Sequence, residues 1–329
     1  MNHFLHSPLP GDSDAKVNLS RAVKEFLELM NQRGTFTESQ SVEEVRKAFT
    51  AAQDPLAVDF SGIVETQKSI SLDGLVILLN IVKPVGTSGS LPVFLFIYGG
   101  GWVIGDYPTH KRMVRDLVLL TGFAGVIVSY TPSPEAKYPQ ALHEIHTAAK
   151  WLLEHGEEIQ VNVDKMGIVG NDVGATMSAA VSLMAKADGG PEFKVQILMG
   201  PAMNAEFNTE SWRRYHRQQI LTATRMKWMW DQYTMDEAQR KEIYAAPLLA
   251  TPQQLKGLPP TLIQVAENDV LRDEGEAFGR ALDDAGVDTT TVVYNGVIHD
   301  FALFNGLSEL PQTKSCLLQA AAELKKYLG

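Results

Sequence analysis

The hydrophobic positions of the chain follow two regimes. Over the first fifty residues, Val17, Ala22, Val23, Phe26, Leu27 and Met30 recur mainly at three- and four-residue spacing, which predicts an amphipathic helix. Ser41 followed by Glu44 has the spacing of a capping box, so a second helix is predicted from there through Ala51, and Pro55 ends the region. Beyond residue 62 the pattern changes to short apolar or β-branched runs at 75–82, 92–98, 125–130, 166–170, 195–200, 261–266 and 289–294. Helical segments are predicted between most of them, at 110–120, 139–155, 173–187, 272–285 and 313–328. Continuous apolar strands alternating with helices predict a mostly parallel sheet covered on both faces. The run at 64–70 is joined to 75–82 only through Leu72, Asp73 and Gly74, which predicts an antiparallel hairpin at one edge.

Residues 204–250 interrupt the alternation with Trp212, Tyr215, Trp228, Trp230 and Tyr233. They read as helices inserted after the 195–200 strand. With the N-terminal helices they are expected to cover the carboxyl ends of the strands, where open α/β sheets bind ligands. The expected organisation is N-terminal cap helices at 1–55, a core of 56–203 and 251–329, and inserted cap helices at 204–250. The aromatic content of the insertion suggests an apolar or aromatic small-molecule partner.

Composition narrows the possibilities. Of the 329 residues 45% are hydrophobic and 21% charged, the balance of a folded globular chain, not a disordered one. A net charge of -10 argues against nucleic acid as a partner, because phosphate binding needs clustered Lys and Arg. No apolar run reaches the roughly 18–20 residues that cross a bilayer. The start lacks a basic segment followed by an apolar core, so a cytoplasmic location is expected. Cys316 is the single cysteine, which excludes an intrachain disulfide. His143 and His146, one turn apart, lack a third ligand of suitable spacing, so neither a metal nor another cofactor is expected. An apolar stripe on the last helix, with Leu317, Leu318, Ala321 and Leu324, packs on the sheet or forms a homodimer contact; the sequence leaves both open.

Three stretches carry chemistry. Tyr98-Gly99-Gly100-Gly101-Trp102 follows a buried strand, and its glycines let backbone N–H groups turn toward a ligand. Gly170-Asn171-Asp172-Val173-Gly174 lies between a strand and a helix, and glycines flanking a central residue at this spacing mark a sharp elbow. Asp269 and His299 each follow a later strand. The order elbow, acid, His suits an acid that holds an imidazole in one tautomer and an imidazole that moves a proton at the elbow.

Taken together, Gly99-Gly100-Gly101-Trp102-Val103, Gly105-Asp106, the segment from Ser133 to Pro139, the elbow and the Asp269 and His299 blocks resemble the hormone-sensitive-lipase-like group of α/β hydrolases, whose members are carboxylesterases. The resemblance covers nearly the whole chain. It implies an α/β-hydrolase fold, a mostly parallel eight-stranded sheet flanked by helices, with a helical cap. It also implies an oxyanion hole of Gly100 and Gly101 N–H groups with that of Val173, Gly99 completing the loop, and a catalytic set of Asp172, Asp269 and His299. Tyr98, Trp102 and Asn171 are the residues expected at the substrate. Three positions depart from the group's pattern: Tyr98 replaces the His before the glycines, Asn171 the elbow Asp, and Asp172 the nucleophilic Ser.

Asp172 changes the chemistry to be expected. A carboxylate attacking an ester would give an acyl anhydride and expel an alkoxide, which is unfavourable beside Ser. A carboxylate attacking an sp3 carbon gives an alkyl ester on Asp172, which water activated by His299 can hydrolyse. In that scheme the Tyr98 phenol either donates to the substrate or fills the space of the lost His. The expectation is a hydrolase of a small organic substrate, with an epoxide or similar electrophile favoured over an ordinary ester. The alternatives are a non-hydrolytic acid–base enzyme (lyase, isomerase or cyclase), a carboxylesterase carrying a Ser-to-Asp change, and a catalytically silent binder.

Overall fold

The computed structural model describes residues 17–32, 40–53, 58–217 and 220–329. Strands β1 (Ile63–Leu72) and β2 (Leu75–Pro84) form the predicted hairpin. Asp73 and Gly74 both take left-handed conformations, with φ of 52° and 77°, the pair of positive values that a two-residue turn matched to strand twist requires. The remaining strands are β3 (Leu91–Ile97), β4 (Ala124–Ser129), β5 (Val161–Asn171), β6 (Gln196–Met199), β7 (Thr261–Asn268) and β8 (Thr289–Ile298). One sheet of 8 strands results, in the order β1-β2-β4-β3-β5-β6-β7-β8. Only the β1–β2 and β2–β4 pairings are antiparallel. Central β3 is apolar throughout, and Val93, Phe94, Leu95, Phe96 and Ile97 are fully buried because helices cover both faces.

The helices of the sheet layers are α3 (Tyr107–Thr121), α4 (Gln140–His155), α5 (Val173–Asp188), α9 (Arg272–Asp284) and α10 (Pro311–Leu328). Helices α3 and α10 pack together on one face, and α4, α5 and α9 cover the other. Helix α3 begins three residues before its predicted start, because Asp106 and Thr109 form a reciprocal cap and Pro108 suits the first turn. Strand β5 begins before its predicted start, at Val161, where it pairs with Leu91.

Two further groups of elements lie over the carboxyl ends of the strands. Helices α1 (Arg21–Asn31) and α2 (Val42–Gln53) come from the N-terminal region. The α2 start has the predicted box: Ser41 N donates to Glu44 Oε2 at 2.7 Å and Glu44 N to Ser41 Oγ at 3.2 Å. Helix α2 is tied to the core by Arg46, whose Nε donates to Val103 O at 2.7 Å and whose Nη2 donates to Ser133 O at 3.0 Å. The second group is α6 (Glu210–Tyr215) and α7 (Ala223–Tyr233), followed by irregular chain to the short α8 (Pro252–Leu255). Thr209 and Thr222 cap α6 and α7 through their side chains.

Candidate active site

Asp172 sits between the end of β5 and the first residue of α5, with φ 51° and ψ -128°. This is a strained position for a residue with a Cβ, and such strain concentrates at functional sites. The flanking glycines are dictated by close approach. A Cβ on Gly170 would lie 2.3 Å from Gly174 O, one on Gly174 2.1 Å from Ile97 O, and one on Gly99 2.6 Å from Asp172 Cβ. The elbow is therefore wedged against the glycine loop after β3, and the loop's amides face the Asp172 side chain.

The two carboxylate oxygens of Asp172 have different surroundings. Oδ2 accepts from Gly100 N and from Gly101 N, each at 2.8 Å. Oδ1 is buried, has no hydrogen-bond partner, and lies 3.6 Å from His299 Nε2. Thus one oxygen rests on the glycine-loop amides and the other faces the imidazole. Val173 is the first residue of α5, so its N–H is among those a helix leaves unbonded at its start. The Gly99 N–H points elsewhere, donating to His110 Nε2 at 3.2 Å.

His299 and Asp269 follow β8 and β7. His299 Nδ1 is 2.7 Å from Asp269 Oδ2, and Leu271 N donates to Asp269 Oδ1 at 3.0 Å, fixing the carboxylate. A third carboxylate completes the cluster: Asp300 Oδ2 lies 3.4 Å from His299 Nε2. Asp300 adopts φ 58°, a turn that aims two successive side chains at one place. Burial opposes charge on His299, but Asp269, Asp300 and Asp172 together outweigh it and lift its pKa to about 10. His299 is accordingly an imidazolium at neutral pH. Burial lifts Asp300 to about 6, with repulsion from Asp172 and Asp269 adding to the rise and attraction to His299 opposing it.

Behind this layer Asn171 donates from Nδ2 to Asp300 Oδ1 at 2.9 Å, while its Oδ1 lies 3.1 Å from His110 Nε2. Burial drops His110 to about 4, so it is a neutral ring bracing the glycine loop. Tyr98, expected at the substrate, instead stacks on Tyr130 at 4.5 Å and donates its hydroxyl to Tyr130 O at 3.3 Å. Trp102 is also turned inward, stacked on Tyr233 at 4.3 Å with the rings 5° from parallel. His146 bonds Asp188 at 2.7 Å.

A cavity of about 210 Å³ opens onto Asp172, His299 and Asp300. Its apolar lining includes Val45 and Phe49 of α2, Leu221, Met229 and Phe304, and among the described residues its remaining charged group is Arg225 of α7. None of the five aromatics of 204–250 singled out in the sequence is among the described lining residues; Trp212, Tyr215, Trp230 and Tyr233 are buried in the core. Asp300, Arg225 and His110 are the site residues that the sequence reading missed. Asp300 adjoins His299 in sequence, and only its turn conformation makes adjacency informative. His110 carried a weak signal in the helix opening after Gly105-Asp106, whereas Arg225 carried none.

A sequence profile described as the α/β hydrolase fold matches residues 94–303. Among solved structures, a thermostable esterase from Pseudomonas putida superimposes with a TM-score of 0.93 at 45% identity, over 98% of this chain and 99% of that one. An esterase from Rhizomucor miehei does so with a TM-score of 0.89 at 34% identity, over 94% of this chain and 97% of its own. An ethyl acetate hydrolase of Pseudomonas putida is 26% identical over 87% of this chain and 90% of its own length.

Proposed function

The chain belongs to the α/β-hydrolase-fold family, and from that premise we propose that it is a hydrolase in which Asp172 attacks an sp3 carbon, with an epoxide as the preferred class of substrate. The observation that carries this reading is the division of labour between the Asp172 oxygens. Oδ1 faces the imidazole without a hydrogen-bond partner, as a nucleophile must, and belongs to a residue that lines the cavity, while Oδ2 already rests on the Gly100 and Gly101 amides. An incoming ester carbonyl would find that loop occupied. An alkyl group on Oδ1 would leave Oδ2 as the ester carbonyl oxygen, held where negative charge develops when water attacks.

The charge on His299 favours an epoxide over a halide. In ring opening, an Asp172 Oδ1–carbon bond forms, the carbon–oxygen bond breaks, and the departing oxygen takes the Nε2 proton. His299 is left neutral, and the new ester no longer contributes the Asp172 charge that stabilised the imidazolium. The neutral ring then takes a proton from water as water adds to the Asp172 carboxyl carbon. The tetrahedral oxyanion on Oδ2 collapses, the product oxygen departs with the proton returned by His299, and the carboxylic acid formed releases its proton to restore the starting charges. A halide takes no proton, so His299 stays protonated and cannot act as base at that stage.

The test is mass spectrometry of the protein incubated at neutral pH with 1,2-epoxyhexane or with 1-bromohexane. The epoxide is expected to turn over to the diol, and the bromide to leave an alkyl ester accumulating on Asp172. His299→Gln protein is expected to accumulate the ester with bromide and to lose diol formation. Absence of diol and of any Asp172 adduct with either probe would reject the reading. A second reading, acid–base catalysis without hydrolysis, is favoured by the same cationic His299, which is a ready proton donor. It predicts a product isomeric with the substrate or formed by elimination, and no adduct.

A further inference from the structure

Arg225 has no role in the scheme above, yet it lines the same cavity as Asp172 and His299. Helix α7 brings it there. Met229, one turn later on the same helical face, rests on the glycine loop so closely that a Cβ on Gly101 would lie 2.0 Å from its Sδ. That contact sets α7 against the loop, and Arg225 enters the cavity one helical pitch (about 5.4 Å) earlier. Its Nη1 donates to Ile220 O at 3.1 Å, which orients the guanidinium. Burial lowers its pKa to about 10, against the opposing pull of Asp300 and Asp172, so it is a cation at neutral pH and lies within electrostatic reach of both carboxylates.

We propose that Arg225 receives the leaving atom of the substrate. This rests on the covalent reading above and deepens it. As Asp172 Oδ1 bonds to carbon and the bond to the leaving atom breaks, the electron pair departs on that atom. The negative charge given up by Asp172 reappears on an oxygen or halogen beside the guanidinium, whose N–H groups donate to it. For an epoxide the His299 proton then completes the alcohol; a halide departs as the anion.

The charge arrangement favours this over an Arg225 that anchors a fixed anionic group. Arg225 already faces Asp172 and Asp300, and His299 faces those two and Asp269, in one buried cluster. A substrate carboxylate would add a further negative charge, whereas displacement only moves an existing one toward a cation. The substrate class that follows is a neutral electrophile whose leaving atom ends as a hydrogen-bond-accepting anion. Electrophiles with a neutral leaving group, such as sulfonium ions, gain nothing from Arg225 and enter the cavity against its charge.

The experiment measures single-turnover alkylation of Asp172 by 1-chloro-, 1-bromo- and 1-iodohexane in the unaltered protein, Arg225→Met and Arg225→Lys. Loss of a donor at a site of developing charge is expected to slow the chloride by on the order of 100-fold in Arg225→Met. The iodide, a better leaving group, is expected to slow by less than about 10-fold, so the spread across the halides widens, with partial recovery in Arg225→Lys. The lysine variant keeps the charge and gives a reading if the methionine variant folds poorly. Equal slowing of all three halides would overturn the assignment and leave Arg225 as a structural or charge-balancing group. So would an effect confined to the half-saturating concentration of 6-bromohexanoate, which would make Arg225 an anchor for a substrate acid. If no halide alkylates Asp172 and 1,2-epoxyhexane gives neither diol nor adduct, the covalent reading itself fails, an outcome distinct from either of these; if the epoxide is turned over but no halide alkylates Asp172, the assignment of Arg225 to a leaving halogen is overturned.

Discussion

A carboxylate at position 172 differs from a hydroxyl in two ways: it supplies a second oxygen, and that oxygen rests on the Gly100 and Gly101 amides. Exchanging Asp172 for Ser reverses both. The Gly100 and Gly101 amides lose their acceptor and become available to a substrate carbonyl, and His299 loses one of the three carboxylates that hold its proton. Asp172→Ser protein is therefore expected to hydrolyse short acyl p-nitrophenyl esters at least ~100-fold faster than the unaltered protein. Its activity is expected to climb from neutral toward alkaline pH, because Asp269 and Asp300 still hold the His299 pKa up and the base is the neutral ring. Spectrophotometric release of nitrophenolate across pH measures both; a variant as inactive as its parent would mean the loop is not a competent oxyanion hole. At this scale the sequence was informative about which residue types the fold brings together, as for Asp172, Asp269 and His299. It was silent where function depends on which way a side chain turns. Tyr98 lies beside the loop in sequence, yet its hydroxyl is spent on Tyr130 O. Asp300 joins the site only because its φ of 58° folds it back beside His299.

Between residue and fold, the elements over the site were harder to read than those beneath it. Strands such as β3 carry short unbroken apolar runs, the pattern of a strand covered on both faces. Helix α7 has only 11 residues and two useful faces: Met226, Trp230 and Tyr233 enter the core, while Arg225 and Met229 reach the cavity. A short helix that is apolar on two sides has no single stripe from which its phase can be read. What fixes the insertion to the core is also polar. Glu274, buried in α9, accepts from Asn204 N at 2.6 Å and from Trp212 Nε1 at 3.1 Å. Glu274→Ala leaves both donors buried without that partner, and about 2 kcal/mol of stability is expected to be lost, read by urea denaturation near neutral pH. Burial, reinforced by Asp269 and resisted by those donors, lifts Glu274 to about 8. A carboxyl whose folded pKa exceeds its unfolded one contributes stability below the unfolded value and loses it as pH rises through the folded value. Stability of the unaltered protein is thus expected to decline between about pH 4.5 and pH 8 relative to the Ala variant, narrowing the difference between them, and to level off above that. A gap that widens over this interval would count against a raised Glu274.

Across the whole molecule, the sheet sets the reacting groups and the N-terminal helices close the space above them, so the two must be coupled for the cavity to exist. Arg46 is one such coupling, beside Gln53, which bonds Leu303 O and Asn305. From α2 Arg46 reaches Val103 O behind the glycine loop, Ser133 O, and the Glu135 carboxylate in a two-pronged pair at 2.7 and 2.8 Å. Glu135 lies in the Ser133 to Pro139 segment that carries part of the resemblance, but its partner was not legible in the sequence, because 89 residues separate the two and nothing local links them. The Glu135 side chain is half exposed, so solvent screens the ion pair, and most of the bond energy resides in the two backbone carbonyls. Arg46→Ala is expected to cost about 2 kcal/mol in local stability of α2 while leaving the sheet intact. Because Val45 and Phe49 of that helix line the cavity, the half-saturating concentration for substrate is expected to rise several-fold more than the turnover number falls. Hydrogen exchange separates this from general destabilisation: amides of α2 should lose protection while those of β3 and β5 keep theirs. Arg46→Lys, which retains the charge but cannot form the planar fork, should recover only part of the protection. Equal loss of protection in helix and sheet would instead mean that α2 and the strands unfold as one unit, and the cap would then have no independent equilibrium through which to admit a substrate.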